Sequence, residues 1–383
     1  MKTISQIRKN NKQKNDDQKN NDQKIRPGKR VLSGLLLLLV AFSLFFYRDS
    51  FREIWEGIGQ VTGKELCISM LLAGMGYVLE GMTIFCMMGA VIPGPRIRDG
   101  IFIAFVCEFY RLTTLGNGSG VAEIHYLCSY GMRKKNVFSV EERGKESASR
   151  EEKITPGSAT VLTMIQYMMK RIAIAGLGLC GFFILCQEEN TRELCREYAA
   201  FVGIGCLITA GIILVFLLLS LSDHVAAGAF WVIDRLSLKI PSGKVNFRKW
   251  KEEIGLLNRS GKSVLRQKKR MLSAVLIQMG KLLLFYGITA YLFAGETSLG
   301  AGGCIFLMAL SFMLSGVIPA PSGAGALEFV FLLFFTGFAD GGTAVIVILL
   351  FRFVTWICPA VVGGILLIGY FLRYRAGRYR AGF

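Results

Sequence analysis

Apolar residues along this chain run in long blocks, without the strict alternation of a half-buried strand or the narrow stripe of a surface helix. The main blocks are Val31–Tyr47, Leu66–Ile92, Ile101–Leu115, Ser158–Cys186, Tyr198–Leu221, Met271–Ala294, Leu299–Ile318 and Gly342–Phe371. A helix needs about 20 residues to cross the roughly 30 Å hydrocarbon layer, and most of these blocks are near or above that length. The pattern predicts an all-α integral membrane protein with about eight transmembrane helices plus two re-entrant helical hairpins. The polar stretch 1–30 ahead of the first block, and the lack of a small-residue cleavage pattern before Arg48, argue against a cleaved signal peptide.

Polar positions set the orientation. Of the 45 Lys and Arg, 35 fall in the segments 1–30, 93–98, 132–156, 222–270 and 372–383. Only 5 fall in the segments 48–65, 187–196, 295–298 and 338–341. That asymmetry is the positive-inside pattern and predicts N- and C-terminal tails in the cytoplasm, at a cell membrane. The expected organisation is a basic tail over 1–30, a membrane domain over 31–371 and a basic tail over 372–383. The domain divides into halves of about 31–187 and 197–371, with a basic cytoplasmic loop over 222–270. The chain is 52% hydrophobic and 19% charged, with a net charge of +18. Because the charge sits in alternate loops, no nucleic-acid binding is expected.

Alternation also demands two short round trips. Asp99–Gly131 must enter from and return to the cytoplasmic side, and Leu299–Phe338 must leave and regain the opposite side. Each contains a helix-breaking run, Gly116-Asn117-Gly118-Ser119-Gly120 in the first and Pro319-Ala320-Pro321-Ser322-Gly323-Ala324-Gly325 in the second. The runs share Gly-x-Gly-x-x-Glu, as Gly118, Gly120 and Glu123 and again as Gly323, Gly325 and Glu328, 205 residues apart. Gly131 and Gly337 stand shortly after the two glutamates. Two such elements entering from opposite faces predict an inverted repeat with a site near mid-membrane. Free N–H groups at broken helix starts suit an anionic group.

Charged residues inside apolar blocks add candidates: Glu80, Glu108, Arg111, Glu123, Lys170, Arg171, Lys281, Glu328 and Arg352. Such residues face a bundle interior or cavity, generally in pairs. Glu108 and Arg111 are spaced to pair on one helix face. Glu123 and Glu328 read equally as caps of half-helices or as contacts for a cationic group or proton. Lys170 and Arg171 fit the inner interface, reached by snorkelling. Arg352 is the leading phosphate clamp. His125 reads as a core residue. The ten cysteines lack metal-ligand spacing and read as buried apolar side chains, with Cys186 and Cys195 able to pair. No catalytic set, metal site or cofactor is expected.

The run Ile318–Glu328, followed by Leu350-Phe351-Arg352, resembles the signature of the lysylphosphatidylglycerol synthase transmembrane region, the flippase-like domain of multiple peptide resistance factors. The chain departs from it at Ser322, where the family favours glycine, and at Gly116, where proline is common. The resemblance implies a lipid translocase for aminoacylated phosphatidylglycerol, or a related phospholipid, that contributes to resistance against cationic antimicrobial peptides. With the reading of the half-helix starts and intramembrane charges above, the expected headgroup contacts are Gly118, Gly120, Glu123, Gly323, Gly325, Glu328, Arg352 and Arg111, with a structural Glu108–Arg111 ion pair an equal alternative for Arg111, and the hairpin breaks are Gly116, Pro319 and Pro321. Membrane phospholipid is the expected partner; a separate lipid-modifying synthase and homo-oligomer formation stay open. The family's name also implies phosphatidylglycerol lysyltransferase activity, though no soluble catalytic domain is expected within these 383 residues. A polyprenyl-phosphate or small-solute transporter is a further alternative.

Overall fold

A computed structural model describes residues 61–90, 94–114, 118–141, 156–222, 266–318 and 325–380, with scattered positions between 225 and 262. The expected span Val31–Tyr47 and the break residues Gly116, Pro319, Pro321 and Gly323 lie outside the described residues. Among the described residues the α-helices run in order: α1 Gly63–Met88, α2 Ile97–Thr113, α3 Gly118–Glu141, α4 Pro156–Gln187, α5 Glu189–Leu221, α6 Lys268–Leu292, α7 Ala301–Ser315, α8 Ala326–Phe335, α9 Gly341–Arg352 and α10 Cys358–Arg380.

Among the described residues, five stretches are long and apolar enough to cross a membrane: Gly63–Met88, Gly157–Leu185, Glu189–Val215, Lys268–Leu292 and Gly341–Leu372. The last joins α9 to α10 through a π-helical turn, Phe353–Ile357. Pro359 follows that turn. Its ring would clash with the carbonyl four residues back in a regular α-helix, and the wider turn makes room for it. Helices α7 and α8 are apolar but short, at 15 and 10 residues. At 1.5 Å per residue they measure about 22 and 15 Å, less than a bilayer core.

Local chemistry explains several boundaries. The Glu65 carboxylate accepts from the Thr62 N–H at 3.0 Å and starts α1. The Asp340 side chain accepts from the N–H groups of Gly342 and Thr343 at 2.9 and 3.3 Å and starts α9. Other boundaries differ from the sequence reading. Gly131 does not end the return of the first hairpin, because α3 runs on to Glu141. An interior glycine costs a helix only about 1 kcal/mol, too little to stop it. The expected outer loop 187–196 is mostly helix: only Glu188 separates α4 from α5, and Glu189 in the first turn of α5 suits the positive end of the helix dipole.

The bundle centres on α1 packed along α6. Gly76 gives way to the Phe285 ring of α6, and a Cβ at Gly81 would lie 2.5 Å from the Ile101 Cα of α2. Helix α2 packs on α10, and α7 on α4. Apolar side chains form two clusters. One joins α1, α4 and α5 to α6, α7, α8 and α9 and includes the stacked rings of Phe293, Phe331 and Phe335, with centroids 4.2 to 6.1 Å apart. The other joins α1, α2, α3 and α4, with residues of α6 and α10, around Met87, Val106, Leu127 and Ile165.

Candidate functional site

Polar side chains gather where α1, α2, α3, α4 and α6 meet. Glu80 of α1 reaches Lys281 of α6, with Nζ 2.7 Å from Oε2. The same oxygen accepts from Gln278 Nε2 at 2.8 Å. The Lys281 ammonium also lies 5.3 and 5.1 Å from the ring centroids of Tyr77 and Phe285, so apolar ring faces help to hold the charge. Lys281 is 4% exposed and Gln278 fully buried. A charge placed so deep persists only with such partners.

Helix α2 adds a second pair. Arg111 Nη1 is 3.1 Å from Glu108 Oε2, as the spacing of three residues predicted. Helix α3 adds Ser119, Gly120 and Glu123, and α4 adds Thr163, Gln166, Tyr167 and Lys170. Together these groups line a cavity of about 140 Å³. Its wall carries three carboxylates, Glu80, Glu108 and Glu123, and three cations, Arg111, Lys170 and Lys281.

Arg111, Gly120 and Glu123, all named from the sequence, thus meet in one place. Gly118 is the first residue of α3, and its N–H is held by Thr114 Oγ1 at 2.7 Å. Glu123 does not cap this helix. The helix starts five residues before it, so no acidic residue stands in the first turn, and the carboxylate faces the cavity. Lys170 lines the cavity too. Arg171 points elsewhere, its Nε bonded to the Tyr167 hydroxyl at 2.8 Å. His125 is exposed on α3 and not in the core.

The second predicted cluster stands apart from the cavity lining. Arg352 binds Glu328 through Nε at 2.6 Å and Nη2 at 2.9 Å, and its guanidinium lies 4.3 Å from the Trp356 ring centroid. Glu328 Oε2 also accepts from the Gly325 N–H at 2.9 Å, so it caps α8. Gly325 itself adopts a φ of 82°, the left-handed region that glycine enters without strain. Arg352 therefore meets a carboxylate of its own chain at the position where the sequence suggested a phosphate.

Sequence reasoning overlooked Tyr77, Thr163, Gln166 and Tyr167. The signal was available on α4, where Thr163, Gln166, Tyr167 and Lys170 recur at helical spacing inside an apolar block. Among the described residues, no group of three or more His, Cys, Asp or Glu could hold a metal ion.

No curated protein matches the chain. The family described as lysylphosphatidylglycerol synthase TM region matches it over residues 31–363. A match over most of the sequence, carried on a helical bundle with several apolar spans, makes this chain a multi-pass membrane protein that belongs to the lysylphosphatidylglycerol synthase transmembrane-region family.

Proposed function

We propose that the chain is a lipid translocase that carries a phospholipid headgroup through the charged cavity while the acyl tails stay in the bilayer. The observation that carries the reading is the cavity itself: three carboxylates and three cations facing one space inside a membrane-spanning bundle. Charged side chains at that depth are costly, and they mark substrate pathways in membrane proteins. Aminoacylated phosphatidylglycerol or a related phospholipid suits a wall that offers both signs of charge, and family membership favours lipid work. Moving an aminoacylated lipid outward would make the cell surface less negative and so less attractive to cationic peptides.

The expected inverted repeat would support this reading, and two contacts are consistent with it. Lys281 follows Gly76 by 205 residues, and Phe285 follows Glu80 by the same interval. Gly76 meets Phe285 and Glu80 meets Lys281, so exchanging the two halves converts one contact into the other. The pairs α2–α3 and α7–α8, each divided by a break that contains glycine, would then correspond. The basic segments 1–30, 222–270 and 372–383 favour cytoplasmic tails.

Dithionite bleaching of acyl-labelled phospholipid in vesicles tests the proposal. Vesicles carrying the protein should lose label from both leaflets, and protein-free vesicles from one. The double variant Glu123→Gln, Lys170→Met should slow inner-leaflet loss by about tenfold, the factor set by roughly 1.4 kcal/mol of lost stabilisation. Inner-leaflet loss that needs no protein, or that ignores the double variant, contradicts the proposal. The word synthase in the family description also allows lysyl transfer to phosphatidylglycerol. Product formed by the purified chain from lysyl-tRNA and phosphatidylglycerol would establish that reading.

A further inference from the structure

The charges around the cavity are not all paired. Glu80 is held by Lys281 and Gln278, and Glu108 by Arg111. That leaves Glu123 and Lys170, one carboxylate and one ammonium, neither of them in an ion pair with any described residue. Both line the cavity. Lys170 and Lys281 line the same cavity, so an anion beside Lys170 would offset like charge there.

Three of the eight unpartnered buried polar atoms among the described residues lie on the same wall. Glu123 Oε1, Thr163 Oγ1 and Gln166 Oε1 are all buried without a hydrogen-bond partner. Gln166 as a whole is only 6% exposed. Buried polar atoms are nearly always paired, so three orphans facing one cavity point to a ligand. All three can accept a hydrogen bond. A primary ammonium carries three N–H donors in a compact head, the matching inventory. Lys170 lies four residues beyond Gln166 on the same face of α4 and supplies a cation about one turn away.

We infer that the cavity takes a net-neutral phospholipid headgroup bearing one primary ammonium and one phosphate, with the ammonium on Glu123, Thr163 and Gln166 and the phosphate on Lys170. The inference rests on the translocase reading for the route by which a lipid reaches the cavity. It adds the class of headgroup and the residues that distinguish it. A quaternary amine offers no N–H to the three oxygens. A glycerol headgroup leaves Glu123 without its counter-ion. A second ammonium on the headgroup finds no second open carboxylate.

The test uses the full chain in nanodiscs made from equal parts phosphatidylethanolamine, phosphatidylglycerol and phosphatidylcholine, with retained lipid counted by mass spectrometry after detergent extraction. Phosphatidylethanolamine should be enriched about tenfold over each of the others, the scale set by one hydrogen-bonded contact to a charged group. Glu123→Gln should abolish its advantage over phosphatidylglycerol while phospholipid is still retained. Lys170→Met should reduce retention of all three. Thr163→Val, which keeps every charge, should lower the advantage of phosphatidylethanolamine over phosphatidylcholine and carries the test if Glu123→Gln fails to fold. Equal retention of phosphatidylcholine, an unchanged preference in Glu123→Gln, or displacement of phosphatidylethanolamine by lysyl-phosphatidylglycerol would overturn the inference. Enrichment that persists in a protein unable to move lipid between leaflets would remove the translocase reading and leave this site standing.

Discussion

Glu80 and Lys281 show how much a buried charge depends on its partner. Each is held by the other, and Gln278 and two aromatic faces complete the shell. Lys281→Met alone leaves the Glu80 carboxylate buried with only the amide, and should destabilise the fold by about 3–5 kcal/mol. Glu80→Gln combined with Lys281→Met removes both charges and should cost clearly less. Thermal unfolding of the detergent-solubilised variants measures the difference, and equal losses would show that the pair does not matter as a pair. Legibility at this scale followed sequence distance. Glu108 and Arg111 sit three residues apart on one helix, so their pairing was predictable. Glu80 and Lys281 lie 201 residues apart, and no local rule joins them. Arg352 was read as open for phosphate because Glu328, 24 residues earlier, is brought to it only by the fold.

Elements packed at glycines make sharper predictions than elements packed at leucines. A Cβ at Gly81 would fall 2.5 to 2.7 Å from backbone and side-chain atoms of Ile101, so Gly81→Val forces α1 and α2 apart. Overpacking of this kind costs about 1–3 kcal/mol. Gly74, on the same helix, has nothing within 4 Å of its would-be Cβ. Gly74→Ala should therefore raise stability by about 0.5–1 kcal/mol through helix propensity alone. Opposite shifts in unfolding temperature for these two glycines check the α1–α2 packing, and shifts of the same sign would contradict it. The long apolar blocks made most helices readable, and their breaks were readable from Gly and Pro. Helix starts were not. Helix α3 begins at Gly118 because Thr114 Oγ1 receives its N–H, a bond across the break that moved Glu123 from a cap to a cavity wall.

The whole molecule places apolar residues outside as well as inside. Leu207 on α5 is 75% exposed, and Ile365 and Ile368 on α10 are 64% and 62% exposed. In water such a surface would drive aggregation; in a bilayer it is the solvent-facing side. Leu207→Arg is expected to lower membrane insertion by about 2.5–3.5 kcal/mol, as read by a glycosylation-based insertion assay, if that face meets lipid near the bilayer centre. Unchanged insertion would place α5 elsewhere. Helical class and membrane residence followed from block length and charge placement, because both are one-dimensional properties of the chain. The cavity did not, because it is assembled from five helices spread between Tyr77 and Lys281. The central claim is that a lipid headgroup occupies that cavity. Photocrosslinking with a phospholipid that carries a diazirine on its headgroup, followed by peptide mapping, tests it most directly. The account predicts adducts on residues 119–123 of α3 and 163–170 of α4, reduced in the Glu123→Gln, Lys170→Met double variant. Adducts confined to the outer faces of α5 and α10, unchanged by that variant, would contradict it.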